Sequence, residues 1–134
     1  MLLFEEKTHN IINACMNVHN ELGNGFLEPV YQSALALEFG FQDIPYRREY
    51  MIDVYYRELK LDHKYKADFI CYDSIIVELK AASCLVKAHK AQVINYLAAM
   101  NYKVGLLINF GQNSLKWERI SYLHDDQEKV ERLV

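Results

Sequence analysis

The stretch "KADFICYDSIIVELKAA", Lys66 to Ala82, sets an aspartate, a glutamate and a lysine in the most apolar, most strand-like part of the chain. A charge between Phe, Ile and Val is costly to desolvate unless something pairs with it. The stretch reads as two strands, "KADFICY" and "SIIVELK", joined tightly around Asp73-Ser74. Side chains alternate along a strand, so Glu78 and Lys80 share a face and Leu79 opposes them. The position of Asp68 depends on the loop. A three-residue loop of Tyr72, Asp73 and Ser74 sets Asp68 straight across from Glu78, whereas a two-residue loop of Asp73-Ser74 sets it opposite Leu79 and separates the acids. The sequence leaves both open.

If the acids converge, their Cβ atoms lie about 5 Å apart and like charges there destabilise the pair. Either one carboxyl keeps its proton or a cation sits between them. Hard divalent ions such as Mg²⁺ take oxygen ligands, need only one or two carboxylates, and leave the remaining positions to water and phosphate. Lys80 beside such a site is suited to neutralise charge developing on a phosphate. The plain alternative is a salt bridge from Lys80 to Glu78 or Asp68 at a solvated sheet rim.

Outward from this stretch the periodicities change. Ile11, Cys15, Val18 and Leu22 recur at helical spacing over Glu5 to Leu22, and "GNG" from Gly23 to Gly25 ends that helix. A second helix, "PVYQSALALEF", starts with Pro29 in its first turn and stops at Gly40. "RREYMIDVYY" alternates as a strand, and "RELKLDHK" reads as a turn and a short strand. After the hairpin, "VKAHKAQVINYLAAM" is a helix with Ala91, Ile94, Leu97 and Ala98 inward, followed by the strands "KVGLLINF" and "LKWERISYL" and a charged tail. The order predicts a mixed α+β or α/β domain.

With 51% hydrophobic and 25% charged residues, the 134-residue chain has a normal globular balance and fits a single domain, 1–134. No apolar run approaches the roughly 20 residues that span a bilayer, and "MLLFEEKTHN" has acids where a secretory signal has a basic region. A cytoplasmic protein is expected. Cys15, Cys71 and Cys84 are widely spaced among apolar neighbours and read as small buried hydrophobes. The net charge of −3 does not suggest a nucleic-acid binder. Between Glu78 and Glu118, however, Lys80, Lys87, Lys90, Lys103 and Lys116 stand with no acid, enough for one local phosphate-binding face.

The spacing of Asp68, Glu78 and Lys80 resembles the PD-(D/E)XK nuclease superfamily, in which a hairpin presents Asp and then (D/E)-x-K around a divalent metal. "GFLEPVY", with Gly25, Glu28 and Tyr31, resembles the small GxxExxY branch, and the similarity runs from about Ile11 to Ile120. The resemblance implies a restriction-endonuclease-like three-layer core, a central mixed β-sheet flanked by helices. It implies Asp68 and Glu78 as metal-binding acids, the Leu79 carbonyl completing the coordination, and Lys80 as the motif lysine. Glu28 would be a helical acid reaching the metal directly or through water. "QVINY" is similar to the QxxxY element of the RecB-like branch, so Gln92 and Tyr96 would line the site, with His89 on the same helix face. Two departures stand out. The motif proline is Ala67, which carries no ligand, and Pro29 holds Glu28 away from helical geometry at the helix entrance.

The expected protein is a nuclease hydrolysing phosphodiester bonds in nucleic acid, DNA first, with Mg²⁺ or Mn²⁺ as cofactor. Asp68, Glu78, Glu28 and Lys80 would act in catalysis, Gln92 and Tyr96 would position the strand, and Lys87 and Lys90 would contact backbone phosphates. A rival is a nuclease-fold module that binds nucleic acid or a partner protein without cutting; a homodimer would also answer the small, acidic chain's lack of a recognition domain. A glycosidase built on paired carboxylates gives the lysine and the QxxxY helix no role. Tyr31 and His19 read as core residues, Gly23 and Gly25 as turn glycines, and Trp117 as packing. Asp62, Asp73 and Asp125-Asp126 read as solvated turn or tail residues.

Overall fold

The computed structural model describes residues 2–123; the charged tail with Asp125-Asp126 lies outside the described residues. Two helices come first, α1 (Glu5–Leu22) and α2 (Glu28–Phe41), followed by β1 (Tyr46–Tyr56), β2 (Leu59–Cys71) and β3 (Ile75–Lys80). Helix α3 (Lys87–Met100) crosses over to β4 (Val104–Asn109), and β5 (Lys116–Ser121) closes the order. The five strands form one mixed sheet in the order β1-β2-β3-β4-β5, antiparallel except for the parallel pair β3 and β4.

Two apolar layers hold the helices to this sheet. Ile11, Cys15 and Val18 of α1 and Tyr31, Leu35 and Phe39 of α2 pack on Phe69, Val77, Leu79, Leu106 and Ile108. On the opposite face Val93, Tyr96 and Leu97 of α3 pack on Ala67, Ile70, Ile76 and Leu107. The three-layer arrangement follows from β3 and β4, whose "IIVEL" and "VGLLIN" are buried throughout and need cover on both sides.

Three sequence expectations change in detail. "RELKLDHK" and "KADFICY" are not two strands but the single strand β2, and Asp62 lies exposed within it. Helix α3 turns Val93, Tyr96 and Leu97 inward while Ala91 and Ala98 face solvent. The reason is Gly105: a Cβ there would come within 2.7 Å of Val93 Cγ1, so the bare backbone of β4 admits Val93 as the contact point. Cys15 and Cys71 are buried as expected, but Cys84 is exposed in the loop before α3.

That loop is strapped to the sheet by one buried side chain. Asn109, fully buried at the end of β4, accepts from the Ala82 N–H and donates to the Ala82 carbonyl, both at 3.0 Å. Its amide thus continues the β3–β4 ladder after Phe110 N–H has bonded the Lys80 carbonyl at 2.8 Å. Replacing Asn109 by Ala strips both partners from Ala82 and should lower stability by about 1–3 kcal/mol. The midpoint of urea unfolding followed by circular dichroism measures the loss.

Candidate active site

The β2–β3 turn decides whether the acids meet. Tyr72 and Asp73 both take left-handed φ values, 55° and 52°, and Ser74 N–H bonds the Cys71 carbonyl at 3.1 Å. A turn of that hand matches the twist of an antiparallel hairpin. Cys71 then pairs with Ile75, Ile70 with Ile76 and Phe69 with Val77, which leaves three residues in the connection. One more step along this register brings Asp68 opposite Glu78. The longer loop is the one the chain uses.

At that step the backbone ladder gives way to side chains. Asp68 N–H donates to Glu78 Oε1 at 2.6 Å, and Leu79 N–H donates to Asp68 Oδ2 at 2.8 Å. Each carboxylate occupies an amide of the opposite strand, so the strands are wedged apart by their own acids. Asp68 also sits where β2 changes faces. Phe69 belongs to the layer under α1 and α2, while Ala67, two residues away, belongs to the layer under α3. Strand β1 turns over at the same level: Arg48 pairs with Phe69 and Tyr50 with Ala67, and Glu49 between them has φ 51°. The Asp68 carboxylate therefore runs edgewise into the gap.

A short polar relay fixes that carboxylate. Arg48 Nε donates to Gln32 Oε1 at 2.8 Å, which turns the Gln32 amide nitrogen toward Asp68 Oδ1 at 2.9 Å. Glu28, Pro29, Gln32, Glu49, Lys66, Asp68 and Leu79 line a cleft of about 190 Å³. Glu28 is exposed there and is the first residue of α2 rather than held out of it, because Pro29 falls within the first helical turn, where its ring is tolerated, and the extended residue at the entrance is Leu27. A larger cleft of about 500 Å³, at the start of α1, touches none of the hairpin acids.

Glu78 carries the electrostatic strain. It is 4% exposed, and burial pushes its carboxyl up to about 8, with the neighbouring Asp68 charge adding to the rise and Lys80 opposing it. Burial also raises the Tyr96 hydroxyl to about 12, reinforced by Glu78 and Asp68, which places Tyr96 within their field. Gln92 Nε2 donates to that hydroxyl at 2.9 Å. Lys80 is half-buried, and Lys87 and Lys90 are exposed in the first turn of α3, where no acid stands. His89 is taken up by its own helix, its Nδ1 accepting the Val86 N–H at 3.2 Å.

Two residues read as core behave so. Tyr31 is fully buried, stacks on Phe110 at 4.6 Å, and joins the Gly23 carbonyl (2.6 Å) to the Phe26 N–H (3.2 Å), fixing the turn that delivers Glu28. His19 Nε2 lies 2.9 Å from the Gln112 carbonyl. Trp117 is 41% exposed rather than packed. Gln32, Arg48, Glu49 and Lys66 were not singled out in the sequence. Gln32 had a signal, standing four residues after Glu28 and so on its helix face.

The donor set suits a hard divalent ion in kind: oxygen atoms only, from two adjacent carboxylates and the Leu79 carbonyl, with Glu28 on the cleft wall. Among the described residues no three His, Cys, Asp or Glu side chains already converge as a metal site. Both Asp68 oxygens and Glu78 Oε1 instead accept from amides.

A sequence model described as the PD-(D/E)XK nuclease superfamily matches residues 5–120, an interval that includes the wedge, Glu28 and the α3 pair. The chain belongs to this superfamily. The crystal structure of SSO0001 is similar in fold, with a TM-score of 0.54 at 17% identity, covering 90% of this chain and 70% of that one. No curated protein matches. Among the described residues no helix is long and apolar enough to cross a membrane. The superfamily's members typically use divalent metals, so the wedged acids are the natural place to look for one.

Glu78 also sets a pH dependence. Its carboxyl rises from 4.5 to about 8 on folding, so the folded chain is favoured by the protonated form and loses that advantage as pH rises through this window. Glu78→Gln keeps an acceptor for the Asp68 amide and removes the charge. Its melting temperature should exceed that of the parent at pH 8, with the gap closing toward pH 4.5.

Proposed function

We propose that the protein is a metal-dependent phosphodiesterase acting on nucleic acid, DNA in the first instance, and that residues 1–134 form one catalytic domain of the GxxExxY branch. The observation that supports this best is the buried Glu78 wedged against Asp68, two carboxylates whose mutual repulsion a cation relieves. Asp68 and Glu78 would hold Mg²⁺ or Mn²⁺ with the Leu79 carbonyl, and Glu28 would reach it directly or through water. The ion, when bound, supplies a more acidic water and polarises the scissile phosphate.

The chain's own residues do the rest in this reading. Lys80, two residues beyond Glu78 on the same strand, stabilises charge building on the phosphoryl oxygens. Gln92 and Tyr96 act as a bonded pair that positions the nucleic-acid strand. Lys87 and Lys90 crowd a helix start where the backbone already favours anions, an unfavourable placement that a backbone phosphate would relieve. Three free cysteines agree with a cytoplasmic setting.

A second reading, a nuclease-fold module that binds nucleic acid or a partner without cutting, draws on the engagement of both Asp68 oxygens by Gln32 and Leu79. An oligonucleotide panel with Mg²⁺ or Mn²⁺ separates the two. Wild type should cleave, Lys80→Ala should be slower by about 10²–10³-fold, and Asp68→Ala should be at least as impaired. Equal cleavage by all three proteins would assign the activity to a contaminant. No cleavage, together with no heat of Mn²⁺ binding in calorimetry, would leave the binding module.

A further inference from the structure

Helix α2 is apolar on both sides, which is the pattern of a helix that belongs in an interior. Tyr31, Leu35 and Phe39 meet that need against the sheet. The opposite side does not. Val30, Leu37 and Phe41 are 40%, 64% and 78% exposed, and Leu27 and Phe26 at the helix entrance are 79% and 46% exposed. From Leu27 the positions run 27, 30, 34, 37, 41, with half-buried Ala34 in the middle. Steps of three, four, three and four are the seam of a helix that packs along another helix.

We propose that this seam is the contact surface of a homodimer, in which α2 of one protomer lies antiparallel to α2 of a second copy, crossing at Ala34. The seam fits its own reverse. About Ala34, Leu27 faces Phe41 of the second copy and Val30 faces Leu37, so bulky ends meet bulky ends and the small residue meets itself. Ser33 and Gly40 flank the seam with little volume, and a Cβ added at Gly40 would touch nothing within 4 Å. Two backbones can therefore approach closely at Gly40, while the Arg48 guanidinium, bonded to Ser33 Oγ at 3.0 Å, edges the seam at Ser33.

Area and charge support the same occupant. The five exposed side chains present on the order of 500 Å² of apolar surface, taking about 150–250 Å² for a whole aromatic side chain and less for an aliphatic one. A stable interface takes about 800 Å² from each partner, of which rather more than half is apolar. No charged side chain lies on the seam, and flanking Glu38 is engaged by Asn17 and Gln42. Helix α2 has no Lys or Arg at all, which disfavours an anionic membrane surface, where basic flanks are the rule. Antiparallel helix dipoles are also favourable for two like helices.

Sedimentation equilibrium of the full chain tests the proposal. The expected mass is that of two chains for wild type and of one chain for Leu37→Glu, with the circular dichroism of the variant unchanged because Leu37 is exposed in the single chain, and with a melting temperature below that of wild type because the dimer no longer stabilises the fold. In a Cys84→Ser background, which removes the exposed thiol, Ala34→Cys should give a disulfide-linked dimer under oxidation. A wild type that stays a monomer at the highest concentration reached overturns the proposal, as does a dimer that survives Leu37→Glu or one that Ala34→Cys fails to cross-link. A monomeric chain that still cleaves would refute the dimer alone and leave the phosphodiesterase reading standing.

Discussion

The fold turns on one exchange of partners, in which the Asp68 amide bonds the Glu78 carboxylate and the Leu79 amide bonds the Asp68 carboxylate. Up to Phe69 and Val77, β2 and β3 are ordinary ladder neighbours. Beyond them a backbone carbonyl is replaced on each side by a longer arm, and the strands must part. The Asp68 carboxylate and the buried Glu78 carboxyl each gain a backbone donor by this, which offsets part of the cost of taking them out of water. The sheet gives up ladder bonds in return and gains a polar gap in its centre, open at the α2 end.

Around that gap the rest of the chain is arranged as support. Helix α2 brings Gln32 and Glu28 to its rim, Tyr31 fixes the turn before them, and Arg48 orients the Gln32 amide. Helix α3 sets Tyr96 in the field of the two acids from the other layer. Asn109 holds the loop that leaves Lys80. At these points the polar groups left by the end of the backbone ladder are met by side chains.

The elements were largely legible because their periods are distinct: "IIVEL" and "VGLLIN" could only be covered strands, and the α1 seam of Ile11, Cys15 and Val18 repeats cleanly. The loop length was not legible. "DS" reads as a two-residue turn, and nothing announces that Tyr72 will adopt a left-handed φ. The turn that opens "RELKLDHK" stands at Arg57-Glu58, but the strand after it runs on without a break into "KADFICY". Asp62 looks like a turn residue, but a strand exposed on both faces tolerates a charge at every position. In α3 the small Ala91 and Ala98 mimic a buried face, and only the contact with Gly105 selects Val93. The acids themselves were readable as types at a spacing. The simultaneous face change of β1 and β2, which aims Asp68 edgewise, has no sequence signature, since Glu49 is an unremarkable member of an alternating run.

The length of β2 has a consequence for local stability. Only its last residues pair with β3, whereas the segment from Leu59 to Ala67 has β1 as its one strand neighbour, with Tyr65 and Ala67 packed on α3. The β1–β2 ribbon therefore projects past the central strands and ends at the exposed Tyr56 and Leu59. Its outer amides have one neighbouring strand and open solvent, so they form the least protected part of a sheet whose β3 and β4 are covered on both faces.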